Sequence, residues 1–406
     1  MGSNASLVQH GGWPFLITSS IGRLPPAMVQ LGLLMYVAQV GLGLRLGGLT
    51  VAAVGLGTAI SATLMGRLVD AFGPLPVVTS ATVVQLGGLI AIATVTPALV
   101  AGDLPSTVLL ALAAVCGLAN PQLGPIVRSR WSHLGRRYGN PQLVRQALGY
   151  EGAVDEMSFI IGPVAASTLV AGLGPDLAIR VLMGIIVVGQ GVFCLYLWSS
   201  RADWDHGSSR ASTAPAERLP MGVLLPPMIV LLSVGVTFGA TQTALTAVNN
   251  ARGTSHLTGI VYGAVGIGSA CSSVFTPRLP DRVTLRMRLA FGAVGLLLAG
   301  VGFALLPTLW PALVIAIFMG VGIGVVLVTG FARAEEVAPR SRVASSMTML
   351  SMCLTLGVSI GAAAAGQLSD VLWQGFIPVL CAGALALVAA IFVGRSRPRK
   401  APKTGG

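Results

Sequence analysis

The sequence predicts an all-α membrane protein that crosses the bilayer twelve times. Hydrophobic residues make up 54% of the 406 residues and charged residues only 9%, with a mean hydropathy of +0.83. A soluble chain of this length would need many more charges at its surface. The chain also contains 53 Gly and 24 Pro, which membrane helices tolerate because neighbouring helices satisfy the freed backbone groups. Lipid is therefore the expected solvent for most of the chain.

Apolar runs of about 20 residues, the length that crosses a bilayer core of ~30 Å, define the expected spans. A Gly-Leu-Gly-Pro turn at 172–175 separates the fifth span from the sixth. The N-terminus lacks the basic region and cleavage site of a signal peptide, so we expect the first run to remain as the first span. The twelve predicted spans are 15–40, 48–66, 75–98, 106–127, 146–172, 177–199, 221–247, 257–276, 289–306, 309–331, 345–367 and 371–394.

The basic residues predict which side of the membrane each connection occupies. If the N-terminus is cytoplasmic, 21 of the 25 Lys and Arg residues fall in cytoplasmic connections or in the C-terminal tail. The opposite side then holds only Arg45, Arg180 and Arg252, and Arg23 lies within the first span. This asymmetry follows the positive-inside rule. It predicts that both termini are cytoplasmic and that the membrane is the inner membrane of the cell.

A polar stretch in mid-chain divides the sequence into two halves. Residues 200–220 are rich in Arg, Asp, Ser and Pro and predict a cytoplasmic linker. The N-terminal half, 1–199, and the C-terminal half, 221–406, then hold six spans each. A short similarity links the halves, because GRLVD at 66–70 and PRLPD at 277–281 each follow the second span of their half. Parallel repeats of this kind are one plan of secondary transporters.

The composition and the motifs do not support several other functions. The net charge of +12 comes from short basic clusters between apolar runs, which does not indicate a nucleic-acid surface. The five cysteines are scattered singly and the four histidines lie far apart, so we expect no disulfide framework, no metal site and no catalytic residues. A phosphate-binding G-x-x-x-x-G-K-[ST] motif does not occur, which argues against ATP as the energy source. We also expect no cofactor.

A Gly-x-Leu-x-Asp-x-x-Gly motif lies between the second and third spans. It reads GRLVDAFG at 66–73, with Gly66, Asp70 and Gly73 at its defining positions. At this place in a six-plus-six arrangement it resembles the motif of the major facilitator superfamily (MFS). The usual basic residues after Asp70 and Gly73 are absent, since alanine and proline stand there. The resemblance implies the MFS fold, in which two six-helix bundles surround a central cavity.

Gly162 and Pro163 in the fifth span provide a second match. They resemble the core of the antiporter signature found in drug exporters of the same superfamily. The later paired glycines of that signature are replaced by Ala-Ala-Ser at 165–167. This departure weakens the antiport interpretation and leaves helix packing as the expected role of Gly162 and Pro163.

The resemblance also implies a gate on the cytoplasmic side. Asp70, in the loop after the second span, would approach the positive N-terminus of the eleventh helix near 343–346, with Arg128 as its cationic partner. Asp281 and Arg333 would repeat the arrangement in the other half. These contacts would hold the cytoplasmic side closed in the outward-open state. The alternative is an ordinary solvated loop without a coupling role.

The fifth span carries three carboxylates, Glu151, Asp155 and Glu156. A charged residue near the bilayer centre costs ~2.5–3.5 kcal/mol on insertion scales, and such residues normally face the bundle interior and pair with a cation. Arg23 is the one basic residue in the core of any predicted span, at a depth comparable to that of Asp155 and Glu156. We therefore predict an ion pair between Arg23 and one of these two residues.

Three roles for this group of charges stay open. One carboxylate could carry the coupling proton, Arg23 could receive an anionic group of the substrate, or the ions could form a permanent structural pair. Glu151 lies shallower and could instead pair with Arg145 or Arg128 near the cytoplasmic gate. The Pro25–Pro26 pair would kink the first helix beside Arg23, either as a static bend or as part of a binding site.

Polar residues on the first and fourth helices of each half are the expected cavity lining, because these helices line the pathway in the superfamily that the chain resembles. No aromatic cage is apparent, and a mostly apolar cavity with a few polar groups suits a small amphipathic molecule more than a sugar. Interhelical hydrogen bonding is the alternative for each residue. The candidates are Gln30, Tyr36, Gln39, Asn120, Gln122, Thr241, Gln242, Asn249 and Thr329.

Together these observations predict a secondary active transporter, expected to be monomeric, that moves a small metabolite or drug across the membrane by alternating access. Proton-coupled export is the leading interpretation. The alternative within this class is an importer or facilitator of an anionic nutrient that uses Arg23. A remote alternative is an integral membrane enzyme. A membrane receptor would need a larger signalling domain than either tail provides.

Overall fold

The computed structural model describes residues 3–200, 221–280, 282–305, 308–338 and 343–393, and within these ranges it contains helices and no strand. The helices of the first half are α1 (Ser3–Gly11), α2 (Trp13–Ile21), α3 (Leu24–Val37), α4 (Gly43–Phe72), α5 (Pro74–Ala101), α6 (Ser106–Leu118), α7 (Leu123–Arg137), α8 (Pro141–Leu173) and α9 (Pro175–Ser199). Those of the second half are α10 (Met221–Ala251), α11 (Leu257–Phe275), α12 (Leu285–Leu305), α13 (Leu309–Val337), α14 (Val343–Leu368) and α15 (Ile377–Val393).

The described residues contain the twelve membrane spans that the sequence predicts. Ten stretches are long and apolar enough to cross a bilayer. One of them, Trp13–Ala62, contains two spans, because the π-helical turn Ala38–Leu42 joins α3 to α4 and these helices pack side by side. The twelfth span is α8, a helix of 33 residues that carries the three carboxylates of the predicted fifth span.

Proline and glycine set many of the helix boundaries. Proline occupies the first turn of α3, α5, α8 and α9, where its missing N–H leaves no hydrogen bond unmade. Gly73, with a φ of 82°, lies between α4 and α5 in a conformation that other residues rarely adopt. Asn140 caps α8, since its side-chain oxygen accepts hydrogen bonds from the backbone N–H groups of Gln142 and Leu143, both at 3.1 Å.

Two spans are broken within the membrane part of the first half. The first span breaks at Gly22 and Arg23, between α2 and α3 and directly before the Pro25–Pro26 pair. The fourth span, predicted as one helix over 106–127, is interrupted at 119–122 and then continues as α7. Pro121 cannot donate to the helical ladder, and it disfavours helical backbone at the residue before it. The prediction of a continuous fourth helix is therefore wrong.

The second span is longer than predicted. Helix α4 continues to Phe72, so Gly66 and Asp70 lie on a helix and not in a loop. The predicted end at 66 is the end of the apolar run. The end of an apolar run marks where a span leaves the lipid, not where its helix ends. This helix continues because no strong helix breaker occurs before Gly73. The loop assignment of Asp70 is thus wrong, although its place near the end of the second span stands.

Glycine lets the helices of the second half approach each other closely. Helices α10 and α14 pack together along much of their length. A Cβ atom on Gly235 would overlap the carbonyl oxygen of Leu354, and one on Gly239 would overlap that of Val358. In lipid there is no hydrophobic driving force between helices, so the close van der Waals packing that small residues permit stabilises such contacts instead. The close approach therefore depends on the absence of side chains at these two positions.

The two halves meet mainly through two helix pairs, α4 with α14 and α8 with α11. In the first pair Gly48 lies against the Ala362 carbonyl, and Gly55 lies against the Ser359 side chain. In the second pair Gly259 lies against Ser167. These contacts lie towards the side where α4 and α11 begin and where α8 and α14 end. We call this side the far face and the opposite side, where α4 ends, the near face.

An ion pair also joins the halves at the far face. Arg45, at the start of α4, pairs with Asp370, which follows α14. Both side chains are exposed, so the pair belongs to the water-facing surface. The contacts named between the halves thus close the far face, whereas at the near face no described residue outside the neighbouring chain lies within 4 Å of a Cβ position on Gly66 or Gly73.

Candidate functional site

A cluster of charges lies inside the first half, at the break in the first span. The Arg23 guanidinium is 6% exposed and pairs with Glu151 through Nη2 and with Asp155 through Nη1, the latter at 3.0 Å. Nη1 also donates to the Glu151 carbonyl oxygen at 3.3 Å. Glu151 and Asp155 share one face of α8 because they are four residues apart. Arg23 therefore binds two successive turns of α8.

Asp155 joins two arginines. Its Oδ1 accepts from Arg23, and its Oδ2 pairs with Arg128 of α7. Asp155 is 30% exposed and Arg128 37%, whereas Glu151 is only 1% exposed. The cluster therefore has a buried end at Glu151 and an accessible end at Asp155 and Arg128. Two arginines balance two carboxylates, which removes most of the cost of placing charge in a membrane helix.

Trp131 binds the remaining oxygen of Glu151. The indole Nε1 of Trp131 donates to Glu151 Oε1 at 2.8 Å, and both side chains are buried. The Phe15 ring lies against the indole, with ring centroids 5.2 Å apart. Since Oε2 pairs with Arg23, both carboxylate oxygens of Glu151 have a partner. An ionised carboxylate with both oxygens bound is fixed in orientation.

The two helix breaks position the two arginines of this cluster. At the first break, Pro25 packs against α9, where a Cβ on Gly189 would lie 2.8 Å from the proline ring. At the second break, α7 starts at Leu123, and a Cβ on Gly124 would lie 3.8 Å from Asp155 Oδ2. Asp155 thus sits over the first turn of α7, one turn before Arg128.

The structure places Arg23 differently from the prediction in one respect. Asp155 is a partner of Arg23, but Arg23 has a second and more buried partner in Glu151, for which pairing with Arg145 or Arg128 was the expected alternative. Arg23 leaves the helix at the break, and its long side chain spans both turns of α8. Glu151 therefore belongs to the Arg23 cluster, and Arg128 pairs with Asp155 in this arrangement. The side chain of Arg145 lies outside the described residues. Glu156 is described only as part of the α8 backbone.

Two of the expected gate residues, Arg128 and Arg333, have other partners. Asp70 is exposed near the end of α4, and Arg128 pairs with Asp155 instead of Asp70. Arg333 pairs with Glu336, one turn further along α13, at 2.8 Å, and Asp281 lies outside the described residues. The pairing of Asp70 with Arg128 is expected when the near face is closed, and it stays a prediction, because the named inter-half contacts here lie at the far face.

Several expected cavity residues instead hold helices of one half together. Tyr36 donates to Thr96 Oγ1 at 3.0 Å inside the core of the first half. Asn120 accepts from Gln85 at 3.2 Å, and Thr241 donates to the Met319 sulfur at 3.7 Å. Interhelical bonding, the alternative for these residues, is therefore what the structure shows. Three other expected cavity residues are also buried, namely Gln242, Thr329 and Asn249. The Asn249 side chain donates to Thr258 Oγ1 at 3.0 Å.

Three of the expected cavity residues are partly exposed. Gln30 lies where the halves meet, since its Nε2 is 3.6 Å from the position of a Cβ atom on Gly55. Gln122 lies in the break of the fourth span, and its Nε2 donates to the Asn120 carbonyl at 3.4 Å. Gln39 lies in the π-helical turn. Gln30 and Gln122 thus stay candidates for contact with a substrate.

Helix packing accounts for Gly162. A Cβ atom on Gly162 would lie 2.8 Å from the Ala27 Cβ, so α8 approaches α3 closely at this point. Pro163 follows within α8. This approach holds the fifth span against the first span on the far side of the charge cluster.

Sequence reasoning missed Trp131 and a buried amide group. Gln85 accepts from Gln190 at 3.3 Å and donates to Asn120, which links α5, α9 and the break of the fourth span. The available signal was the isolation of Gln85 and Gln190 within apolar helices, since a polar residue there needs a partner. Trp131 carries no comparable signal, because an indole near a helix end is also typical of membrane interfaces.

Comparisons with known proteins agree with this architecture. The Major Facilitator Superfamily model matches residues 15–316 and 294–406. A search of curated protein sequences found no match. Among solved structures, the nucleoside transporter NupG is 14% identical with a TM-score of 0.65, covering 96% of this chain and 98% of its own. A bacterial homologue of the iron transporter ferroportin, in an inward-facing state, is 18% identical with a TM-score of 0.67, covering 97% and 99%.

A third solved structure, the POT family transporter PepTSo, is 12% identical with a TM-score of 0.63, covering 93% of this chain and 97% of its own. At these identities the structural likeness shows the fold alone. The family model, however, covers nearly the whole length from Phe15 onwards. The chain therefore belongs to the Major Facilitator Superfamily, as a multi-pass membrane transporter of small molecules and not an enzyme.

Proposed function

We propose that this protein is a secondary active transporter that exports a small amphipathic molecule in exchange for protons by alternating access. The observation that carries the proposal is the cluster of Arg23, Glu151, Asp155 and Arg128 inside the membrane part. Its charges balance only while both carboxylates are ionised. Binding of one proton would therefore change the net charge of a largely buried group, and such a change costs enough to drive a rearrangement.

Asp155 is the proposed proton acceptor. It is the accessible carboxylate of the cluster, whereas Glu151 is buried with both oxygens bound. A proton on Asp155 weakens its hold on Arg128, which is itself partly exposed. We propose that Arg128 then changes partner to Asp70 as the near face closes. Arg23 stays neutralised by Glu151 throughout, so the cluster never leaves an arginine alone in the protein interior.

The contacts between the halves support an alternating-access cycle. They join α4 to α14 and α8 to α11 at the far face, as expected of a state that opens towards the near face. In the proposed cycle these contacts separate when the near face closes. The excess of Lys and Arg on the near-face connections supports a cytoplasmic near face with both termini inside the cell.

The alternative, import of an anionic nutrient through Arg23, has less support. Both terminal nitrogens of the guanidinium already bind carboxylates of α8. An anionic substrate would have to displace Glu151 or Asp155 and would leave that carboxylate without its cation. Such a loss typically costs several kcal/mol for a buried pair. The geometry therefore favours a coupling role over substrate binding for Arg23.

Proteoliposome flux tests the proposal. Movement of the amphipathic cation ethidium is followed with and without a pH gradient, while entrapped pyranine reports the counter-movement of protons. We expect gradient-driven ethidium movement in the natural protein and its loss in Asp155→Asn. Asp103→Asn, an exposed carboxylate in the connection between α5 and α6, is the matched control. Gradient-driven flux that persists in Asp155→Asn would sink the coupling role. Gradient-independent uptake of carboxyfluorescein would support the importer instead.

A further inference from the structure

We infer that Trp131 is a positioning residue that acts through Glu151. Its indole N–H fixes the Glu151 carboxylate on Arg23, so that Asp155 is left as the partner that exchanges during the cycle. The inference deepens the proposed function, because it rests on the cluster taking part in the change between states. Trp131 itself is not assigned any contact with substrate.

The first step of the argument is the division of the two Glu151 oxygens. One oxygen pairs with Arg23, and the other accepts from the Trp131 indole at 2.8 Å. Both residues are buried, with Trp131 fully so. Without the N–H, one charged oxygen would lose its partner in a site that water does not reach, which is a costly state for a buried acceptor. The carboxylate would turn, and Arg23 would turn with it.

The second step is what holds the indole. Phe15 lies against one side of the ring, and Gly11 of α1 lies against its edge, where a Cβ atom would overlap the ring. Helix α1 is itself anchored by the buried Leu7 and by a ring contact between His10 and Tyr138 at 4.8 Å. The N-terminal helix, which precedes the first span, therefore sets the position of the indole and through it that of Glu151.

The experiment measures the populations of the near-face-open and near-face-closed states, which needs no known substrate. The native cysteines are replaced by serine, and spin labels are placed at Phe72 in the first half and Phe275 in the second, both exposed at near-face helix ends. Pulsed electron resonance then gives the distance distribution in nanodiscs. The variants are Trp131→Phe, Glu151→Gln and the double variant. Trp310→Phe, at an exposed tryptophan, is the control.

We expect Trp131→Phe to change the ratio of the two states several-fold in the same direction as Glu151→Gln. Since Trp131 acts through Glu151, the double variant should go no further than the stronger single variant. Trp310→Phe should leave the ratio unchanged. Additive effects of the two substitutions, or a ratio that Trp131→Phe does not change, would overturn the inference.

Two further variants separate positioning from packing. β-(3-Benzothienyl)alanine at position 131 keeps the shape of the ring but has no N–H donor, so it should behave like Trp131→Phe; behaviour like the natural protein would show a packing role and overturn the inference. If Trp131→Phe does not fold, this variant takes its place in the measurement.

Gly11→Ala tests the role of α1. It keeps the donor but displaces the ring, so it should shift the same ratio, whereas Gly184→Ala, in open space, should not. An unshifted ratio in Gly11→Ala would remove α1 from the inference.

The same measurement separates this inference from the proposed function. If the state populations of the natural protein do not respond to pH, proton coupling is wrong. The effect of Trp131→Phe on the ratio at fixed pH is still measured in that case. If the effects of Trp131→Phe and Glu151→Gln on the ratio are then non-additive, Trp131 positions Glu151 in a cycle that is not coupled to protons. Additive effects would reject the positioning role.

Discussion

At the residue scale, the cluster around Arg23 joins three ion pairs in one largely buried site. Arg23 and Glu151 are almost fully buried, whereas the pair of Arg45 and Asp370 is exposed. Buried and exposed ion pairs differ in how much the free energy of unfolding falls when one partner is removed. Removing one partner of a buried pair leaves an uncompensated charge, while an exposed ion regains its water. The two pairs in this one protein therefore allow a direct comparison.

Replacing Arg23 by methionine should destabilise the protein by about 3–5 kcal/mol, because Glu151 loses the cation that it pairs with in a buried site. Unfolding in detergent measures the change. Adding Glu151→Gln to Arg23→Met should recover most of the loss, since the double variant no longer buries an unpaired charge. Arg45→Met, the matched control at the exposed pair, should cost about 0–1 kcal/mol. Equal losses in the two arginine variants would contradict the assignment of a buried ionic cluster.

The sequence identified the ionic residues more readily than their partners. Arg23 and the carboxylates of α8 stand out because charge is rare within apolar runs. Their depth could be estimated from the helical rise, but the rotation of α8 and the break at Gly22 decide which carboxylate the guanidinium meets. Trp131 reaches Glu151 only because α1 and α7 pack as they do. Such contacts between elements distant in sequence are absent from any local pattern.

At the element scale, helix breaks and glycine contacts determine where the helices lie. The apolar runs predicted twelve spans because every helix that crosses the lipid core needs a similar number of apolar residues. They did not predict the interruption at 119–122, since hydropathy is insensitive to a single proline in an apolar run. Yet the signal was present at Pro121 and at the residue before it. Backbone chemistry and hydropathy therefore need to be considered together for each span.

The glycine contact between α10 and α14 should not tolerate a methyl group. Gly239→Ala would bring a Cβ atom into the Val358 carbonyl, so the helices must separate. The expected loss is at least about 1–3 kcal/mol, the usual cost of overpacking. Thermal unfolding in detergent measures it. Gly87→Ala on α5, where a Cβ atom meets nothing within 4 Å, is the matched control and should be close to neutral. Similar melting temperatures for the two variants would contradict the close helix approach.

At the scale of the whole molecule, the halves are joined at one face. The pairs α4 with α14 and α8 with α11 carry glycine and serine at their contacts, namely Gly48, Gly55, Ser167, Gly259 and Ser359. Small residues permit close packing without side chains that interlock. A surface of this kind can separate and close again with little rearrangement, as alternating access requires.

Joining Arg45 and Asp370 chemically should arrest the cycle. Cysteines at positions 45 and 370, in a chain without native cysteines, are linked with a short bis-maleimide. Because both residues belong to the far-face contact, the link should hold that face shut and remove any near-face-closed population. Distance measurements between labels at Phe72 and Phe275, introduced by a chemistry other than thiol labelling, report the result. The single cysteine at 45 is the control. Unchanged populations after linkage would refute this closure.

The charges of α8 also bear on how the protein enters the membrane during synthesis. Helix α8 carries Arg145, Glu151, Asp155 and Glu156, and each of these charges opposes insertion, so a translocon should not release the isolated 141–173 segment into lipid. The segment should be retained until Arg23 and Arg128 are beside it. A glycosylation reporter should therefore show poor insertion of this segment alone. Insertion should improve with Glu151→Gln and Asp155→Asn together, or when residues 1–140 are made first. Biogenesis of the fifth span would then be cooperative with the four before it.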